Sequence, residues 1–247
     1  MGISKHNKEF LSNGYTSFSI KDFFPEFEVN LNLINNIEED KWSFIIKNRR
    51  GVSDFYLSDT DIESINYEKT IAFEDRDNGE FSFSFRRICF DEIKIILVDL
   101  IAVVDDVKFK DFLWSITGKK VNMISNIYLS KFDKNDFLTT HCDSDDGIGI
   151  VINLTKKWEA NYGGLTMILD NEKKEILETF IPSYLNILIF DTKKRKIPHF
   201  VSTVTSNKIS KRMALVVRYN EKNQSASLCY FNVINMGECI SYIKTGN

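Results

Sequence analysis

The sequence predicts an α+β fold, in which an antiparallel jelly-roll core (a double-stranded β-helix) is braced by N-terminal helices. Three observations point there. From about residue 121 onward, short β-rich runs follow one another with turn clusters between them and no helical pattern intervening, which is the texture of a sandwich or barrel. The segments with helix-like spacing and capping residues all lie before residue 120. Finally, 247 residues with a 43% hydrophobic fraction and 20 Phe suffice for one core. The expected organisation is a single domain, 1–247, with 1–120 as helical and strand support and 121–235 as the jelly-roll core.

Along the chain, Asp59 or Asp61 supplies an N-cap for a helix over Asp61–Phe73, whose residues are helix-friendly. Asn78-Gly79 carries hairpin turn chemistry and leads into Glu80–Phe85, where apolar and polar residues alternate with period two, a strand signature. Asp91–Val104 has a mixed apolar pattern of helical length. Asp111–Ile116 reads as a second helical piece, stopped by Gly118 as its C-cap residue. The strands expected beyond are Met123–Phe132, Ile148–Leu154, Leu165–Leu169, Ile176–Ile181, Leu185–Phe190, Phe200–Val204, Met213–Tyr219 and Leu228–Val233.

Composition removes several function classes. Lys+Arg number 32 against 35 Asp+Glu, so no duplex-sized basic face is expected and nucleic acid is not a predicted partner. The run Lys193-Lys194-Arg195-Lys196 reads as a solvated turn. Cys89, Cys142, Cys229 and Cys239 have no CxxC spacing and form no disulfide framework. The N-terminus lacks an apolar targeting stretch, and although Gly2 suits a myristoylation start, His6 stands where Ser or Thr is required. Ile95–Val104 is too short to span a bilayer. A cytoplasmic protein without membrane partners is expected.

Of three histidines, two carry the chemistry. His141-Cys142-Asp143 closes a strand-like run, and strand alternation lets His141 and Asp143 share a face while Cys142 points away. His199 follows 58 residues later, brought over on another strand. Two imidazoles and one carboxylate make a facial triad that leaves positions of an octahedral ion open, which suits non-haem iron(II) better than zinc with its nearly closed tetrahedra. The landmarks around these residues come in a specific order. Phe132 and a turn precede His141. Asn153-Leu154-Thr155 with Trp158, Gly163-Gly164-Leu165, Pro182 with Phe190, then His199-Phe200-Val201 and Arg212 follow. Over roughly residues 120 to 220 this series resembles the prolyl-4-hydroxylase-like branch of the iron(II)/2-oxoglutarate dioxygenases. One departure is visible: the glycine of the family's "P..G.L..F" strand is absent, with Ser183-Tyr184-Leu185 following Pro182.

The resemblance implies that His141, Asp143 and His199 hold Fe(II), and that Arg212 grips the distal carboxylate of the co-substrate 2-oxoglutarate, whose geometry a guanidinium fork matches. Lys208 and Lys211 are the alternative claimants, because the His199-to-Arg212 interval of 13 residues exceeds the commonest family spacing. With O2, this set implies conversion of 2-oxoglutarate to succinate and carbon dioxide coupled to hydroxylation of an unactivated C–H bond. Asp143, where halogenases of the family have Ala or Gly, leaves no place for halide.

Alternation along the strand puts Arg212, Ala214, Val216 and Arg218 on one face, so Arg218 is expected to point inward and bind a substrate carboxylate. A strand end or bulge that leaves Arg218 in solvent is the alternative. Gly163-Gly164 permits a sharp turn near the site. Arg86-Arg87 reads as an exposed basic strand end, with a substrate mouth as the alternative. The expected substrate is a free amino acid or similar small carboxylate. A peptidyl, prolyl-type hydroxylase is the alternative, and a non-catalytic metal-binding sensor or scaffold is the second.

Overall fold

The computed structural model of the chain describes residues 2–89, 93–94, 96–144, 147–207 and 211–221. Twelve strands form one curled antiparallel sheet with the path β1 (Tyr15–Ser19), β10 (Asn186–Asp191), β7 (Gly147–Asn153), β12 (Arg212–Glu221), β5 (Val121–Phe132), β4 (Phe83–Cys89), β6 (Phe137–His141), β11 (His199–Val201), β8 (Thr166–Leu169) and β9 (Ile176–Phe180). β2 (Ser43–Asn48) pairs with β4 and with β3 (Gly51–Phe55). This is the jelly roll expected from the strand texture.

The sheet folds over at β4. Arg86–Cys89 pair with β5, whereas Phe83 and Ser84 pair with β6, so one strand joins the two layers. Side chains facing the interior include Phe85, Tyr128, Phe132, Val201 and Val216, with the rings of Phe85 and Phe132 stacked 4.9 Å apart. The opposite pleat of the same strands carries Leu129, Ile150, Ile152, Leu215 and Val217, all 0% exposed or nearly so. These pack beneath α1 (Gly2–Asn13), α2 (Leu31–Asn35), α4 (Val98–Asp105) and α5 (Val107–Thr117). Each such side chain removed from water contributes roughly 1.5–3 kcal/mol, so this double-faced burial holds the larger layer in place. α3 (Ile62–Asp77) lies on the other side, against β2.

The caps explain where the helices start and stop. Asp61 accepts from Ser64 N at 2.8 Å and starts α3. Gly118, at φ 69°, ends α5 as expected. Asn78-Gly79 makes no hairpin: it ends α3, with the Gly79 amide donating to Arg76 O. The same left-handed tolerance serves a helix stop as well as a hairpin, so the dipeptide alone could not choose. Arg86 and Arg87 are not an exposed strand end. Arg87 is buried and pairs with Asp54 at 2.5 Å, and Arg86 pairs with Glu39 and with Asp133. Within Lys193–Lys196, Arg195 donates to Ser12 O and Leu11 O and so ties α1 to the turn.

β1, β2 and β3 were not separately anticipated, and they place strands of the first 120 residues in the same sheet as the core. Of the helix expected over Asp91–Val104, α4 (Val98–Asp105) covers the C-terminal half. The run Leu228–Val233, with Cys229 and Cys239, lies outside the described residues, as does Lys208.

Leu185 resolves the missing glycine. Counting from Pro182, it stands where the family strand has glycine, and it adopts φ +60° although it carries a β-carbon. Its amide donates to Asn153 O at 2.8 Å and its carbonyl accepts from Ile20 N at 2.9 Å, so the turn into β10 keeps the conformation glycine would favour. The side chain, 1% exposed in the outer core, offsets the strain of about 1–2 kcal/mol.

Candidate active site

His141 ends β6 and His199 begins β11, and the two are direct cross-strand partners, with ring centroids 4.2 Å apart. A bulge makes this work. Val201 pairs with Leu138, so three steps on β6 match two on β11. Without the extra residue at Thr139-Thr140, strict alternation from Leu138 would turn His141 to the outer face. Bulges re-aim side chains in this way. Asp143 lies just past the strand end, so strand pleat does not place it. Its carboxylate is held by Arg218, whose Nη2 donates to Oδ2 at 2.7 Å. Oδ1 stands 3.7 Å from His141 Nε2 and Oδ2 stands 3.6 Å from His199 Nε2. One ligand atom from each of the three residues lies within 4.8 Å of the others.

The hydrogen bonds fix which nitrogen is free. His141 Nδ1 meets Thr139 O at 3.0 Å and His199 Nδ1 meets Ile197 O at 2.8 Å. A carbonyl only accepts, so each Nδ1 carries the proton and each Nε2 lone pair turns toward Asp143. Burial, and then His199 beside it, pull the His141 imidazole down to about 4, which keeps it neutral at physiological pH. Burial alone would raise the Asp143 carboxyl, but the Arg218 guanidinium beside it outweighs that and holds the group below the usual range. Two neutral imidazoles with second-nitrogen supports and one carboxylate are the donor set a divalent iron requires.

Arg212, Ala214, Val216 and Arg218 all face a cavity of about 60 Å³ inside the barrel, together with His141 and His199, while Met213, Leu215, Val217 and Tyr219 face the outer core. Arg212 is 3% exposed. Its Nε donates to Gly164 O at 2.6 Å, Nη2 donates to Thr166 Oγ1 at 3.1 Å, and the guanidinium lies over the Phe132 ring. No carboxylate pairs with it among the described residues. Burial lowers its pKa to about 10, where it still keeps its charge at pH 7. Lys211, the rival in sequence, instead pairs with Asp133 at 2.6 Å on the other side of the strand.

Two glycines make room. A β-carbon on Gly149 would sit 2.1 Å from Arg218 Nη1 and 2.7 Å from the Phe190 ring. One on Gly164, at φ +63°, would meet Arg212 Cδ at 2.9 Å. The Gly163-Gly164 turn therefore borders the Arg212 side chain itself. Gly149, Thr166 and Phe81, whose ring packs 5.7 Å from that of His141, were not anticipated. Only Gly149 had a readable signal, since a lone glycine inside a strand marks close approach of another group.

A family model described as the 2OG-Fe(II) oxygenase superfamily matches residues 127–218, the interval that contains every residue lining this cavity except Phe85. Over that interval the chain is similar to the 2OG-Fe(II) oxygenase superfamily. That family uses Fe(II), 2-oxoglutarate and O2, and the His-Asp-His triad described above is the matching donor set. Among solved structures it is similar to a 2OG-Fe(II) oxygenase family oxidoreductase from Burkholderia pseudomallei, at 15% identity and TM-score 0.54, covering 89% of this chain and 90% of that one. A prolyl-4-hydroxylase from Pseudomonas putida is similar at 10% identity and TM-score 0.52, covering 89% and 99%. A prolyl hydroxylase from Trichoplax adhaerens, solved with a hypoxia inducible factor oxygen degradation domain peptide fragment, gives 13% and 0.57, covering 89% of each. At these identities the likeness is one of fold. No curated protein matches the sequence. No helix of the described residues is long and apolar enough to cross a membrane.

Proposed function

We propose that this oxygenase hydroxylates an unactivated C–H bond of a small carboxylate, a free amino acid being the preferred substrate. In this reading His141, Asp143 and His199 hold the iron, and Arg212 binds the distal carboxylate of 2-oxoglutarate. The observation that carries the assignment is Arg212: a buried guanidinium without a carboxylate partner among the described residues, on the same cavity as the triad. A buried charge left uncompensated is costly, so the site is built to receive an anion. Nε and one Nη are already engaged by Gly164 O and Thr166 Oγ1. These bonds orient the remaining guanidinium edge toward a ligand.

When bound, Fe(II) with 2-oxoglutarate and O2 supplies the oxidation, turning the keto acid into succinate and carbon dioxide as oxygen enters the substrate. The chain's own residues do the positioning. Thr139 O and Ile197 O keep both imidazoles in the ligating tautomer. Arg218 orients Asp143 and lines the cavity, where it would hold the substrate carboxylate. Val151, Leu188, Phe190 and Val216 line the cavity with apolar surface that excludes water. The first 120 residues serve as support within a single catalytic unit, 1–247, a reading favoured by the hydrogen-bonded continuity of β1, β4 and the core strands.

A peptidyl substrate is the second reading, favoured by the fold shared with a prolyl hydroxylase solved with a peptide. The deciding experiment begins with anaerobic visible absorbance as Fe(II) and then 2-oxoglutarate are added to metal-free protein. A charge-transfer band lost in His199→Ala and weakened in Arg212→Ala supports the ligand assignments. Bound iron with no band overturns them. Succinate formation with free amino acids against peptides then separates the substrate classes.

A further inference from the structure

A second cavity lies behind the catalytic strands. It measures about 400 Å³, at the lower end of the range of about 300–1,000 Å³ usual for small-molecule sites. α2 and the segment leading to Trp42 roof it, and the outer face of the larger layer, at Leu154 and Met213, floors it. It is separate from the barrel interior: Met213 faces this cavity and Arg212, next to it on β12, faces the other.

Its charge is one-sided. The lining includes Lys131, Lys156, whose Nζ lies over the Tyr184 ring, and Lys211, against the single acidic residue Glu39. Adding the neighbours does not balance it, because Asp133 pairs with Lys211 and Glu39 is shared between Lys131 and Arg86. Four cations thus face two carboxylates. Lys131 is 4% exposed, and its Nζ lies 4.1 Å from the centre of the Trp42 ring. Its carboxylate partner, Glu39, is largely exposed and is shared with Arg86. A buried ammonium on an indole face, beside an aliphatic floor, offers both halves of an amphipathic recognition site.

We propose that this cavity binds a small organic anion with a flat or branched apolar body, the carboxylate meeting Lys131 and Lys156 and the apolar part lying against Trp42 and Met213. The site is independent of the 2-oxoglutarate position. An occupant would touch the two chain neighbours of Arg212.

Phenylacetate, which joins one carboxylate to one apolar ring, is the probe, and inorganic phosphate is the control that has charge without an apolar body. Titration calorimetry on the full chain should show saturable one-site binding of phenylacetate and none of phosphate. Lys131→Met should weaken phenylacetate binding at least about tenfold, equivalent to roughly 1.4 kcal/mol. Lys156→Ala, at an exposed position that leaves folding intact, should weaken it in the same direction. Arg212→Met should bind the probe as the parent does. Absence of saturable phenylacetate binding, indifference to both lysine variants, loss of binding in Arg212→Met, or equal binding of phosphate would each overturn the proposal.

Discussion

Replacing Arg212 with methionine tests the anion-site reasoning, because two contributions to its energetics have opposite signs. In the ligand-free protein the guanidinium is disfavoured. Burial pulls its pKa down to about 10, which corresponds to roughly 3 kcal/mol of destabilised charge at about 1.36 kcal/mol per pH unit. Methionine removes that penalty and fills much of the volume. It also strands the buried Gly164 O, at about 1–3 kcal/mol, while the hydroxyl of half-buried Thr166 can turn to water, and it loses the contact with Phe132, worth about 0.5–2 kcal/mol. These nearly cancel, so the free variant should unfold within about 2 kcal/mol of the parent.

With ligand the balance changes. Two charge-assisted hydrogen bonds to a carboxylate are worth about 1.5–3 kcal/mol each, so 2-oxoglutarate affinity should fall by roughly a hundredfold or more. Thermal unfolding without ligand, together with anaerobic calorimetric titration of 2-oxoglutarate into the iron-loaded protein, measures both sides. An unchanged 2-oxoglutarate affinity in Arg212→Met refutes the reasoning. So does a variant that unfolds when ligand-free, because Arg212 would then be a structural brace.

Gly149→Ala should displace Arg218 or Phe190, since its β-carbon would lie 2.1 Å from Arg218 Nη1; a stability loss of about 1–3 kcal/mol in urea unfolding, with reduced succinate formation, is expected. Leu185→Gly relieves about 1–2 kcal/mol of left-handed strain but removes a fully buried side chain, so a net loss of roughly 1–3 kcal/mol should appear in the same assay. Burial, and then Glu178, raise the Tyr15 phenol from 10 to about 12, so the folded state keeps its proton longer than the unfolded chain. Its contribution is whole below about pH 10 and is lost as pH rises through about 12. Tyr15→Phe should therefore flatten the alkaline stability profile in that window. Cys142→Ser should leave iron binding intact, because the thiol, pushed up by burial, supplies no ligand atom to the triad; weakened iron affinity in an equilibrium titration would show otherwise.

Much of the site was legible because the residues concerned are rare types in a fixed order. Only three histidines occur, and two of them flank the strands that the β-rich texture already implied. The inward face of Arg212 and Arg218 followed from period-two geometry, and the cavity carries both. Counting alternate residues from His141 to Asp143 reached the correct cluster by an incomplete route, since β6 ends at His141 and Asp143 owes its place to Arg218. The bulge at Thr139-Thr140 left no mark in the sequence: it is a property of the pairing with β11, which local composition does not encode.

By itself, then, the sequence determined the fold class, the order of the strands around the site and which residues, His141, Asp143, His199 and Arg212, the fold brings to it. These depend on side-chain chemistry and on the period of the backbone, both local properties. Only the tertiary structure decided that β1, β2 and β3 join the core sheet, that Asn78-Gly79 stops a helix, and that Arg86 and Arg87 are consumed in ion pairs. It also decided that Leu185 takes the left-handed turn of an absent glycine. Each of these rests on a partner far away in the chain, whose burial, hydrogen bond or charge selects one of several states that the local sequence leaves close in energy.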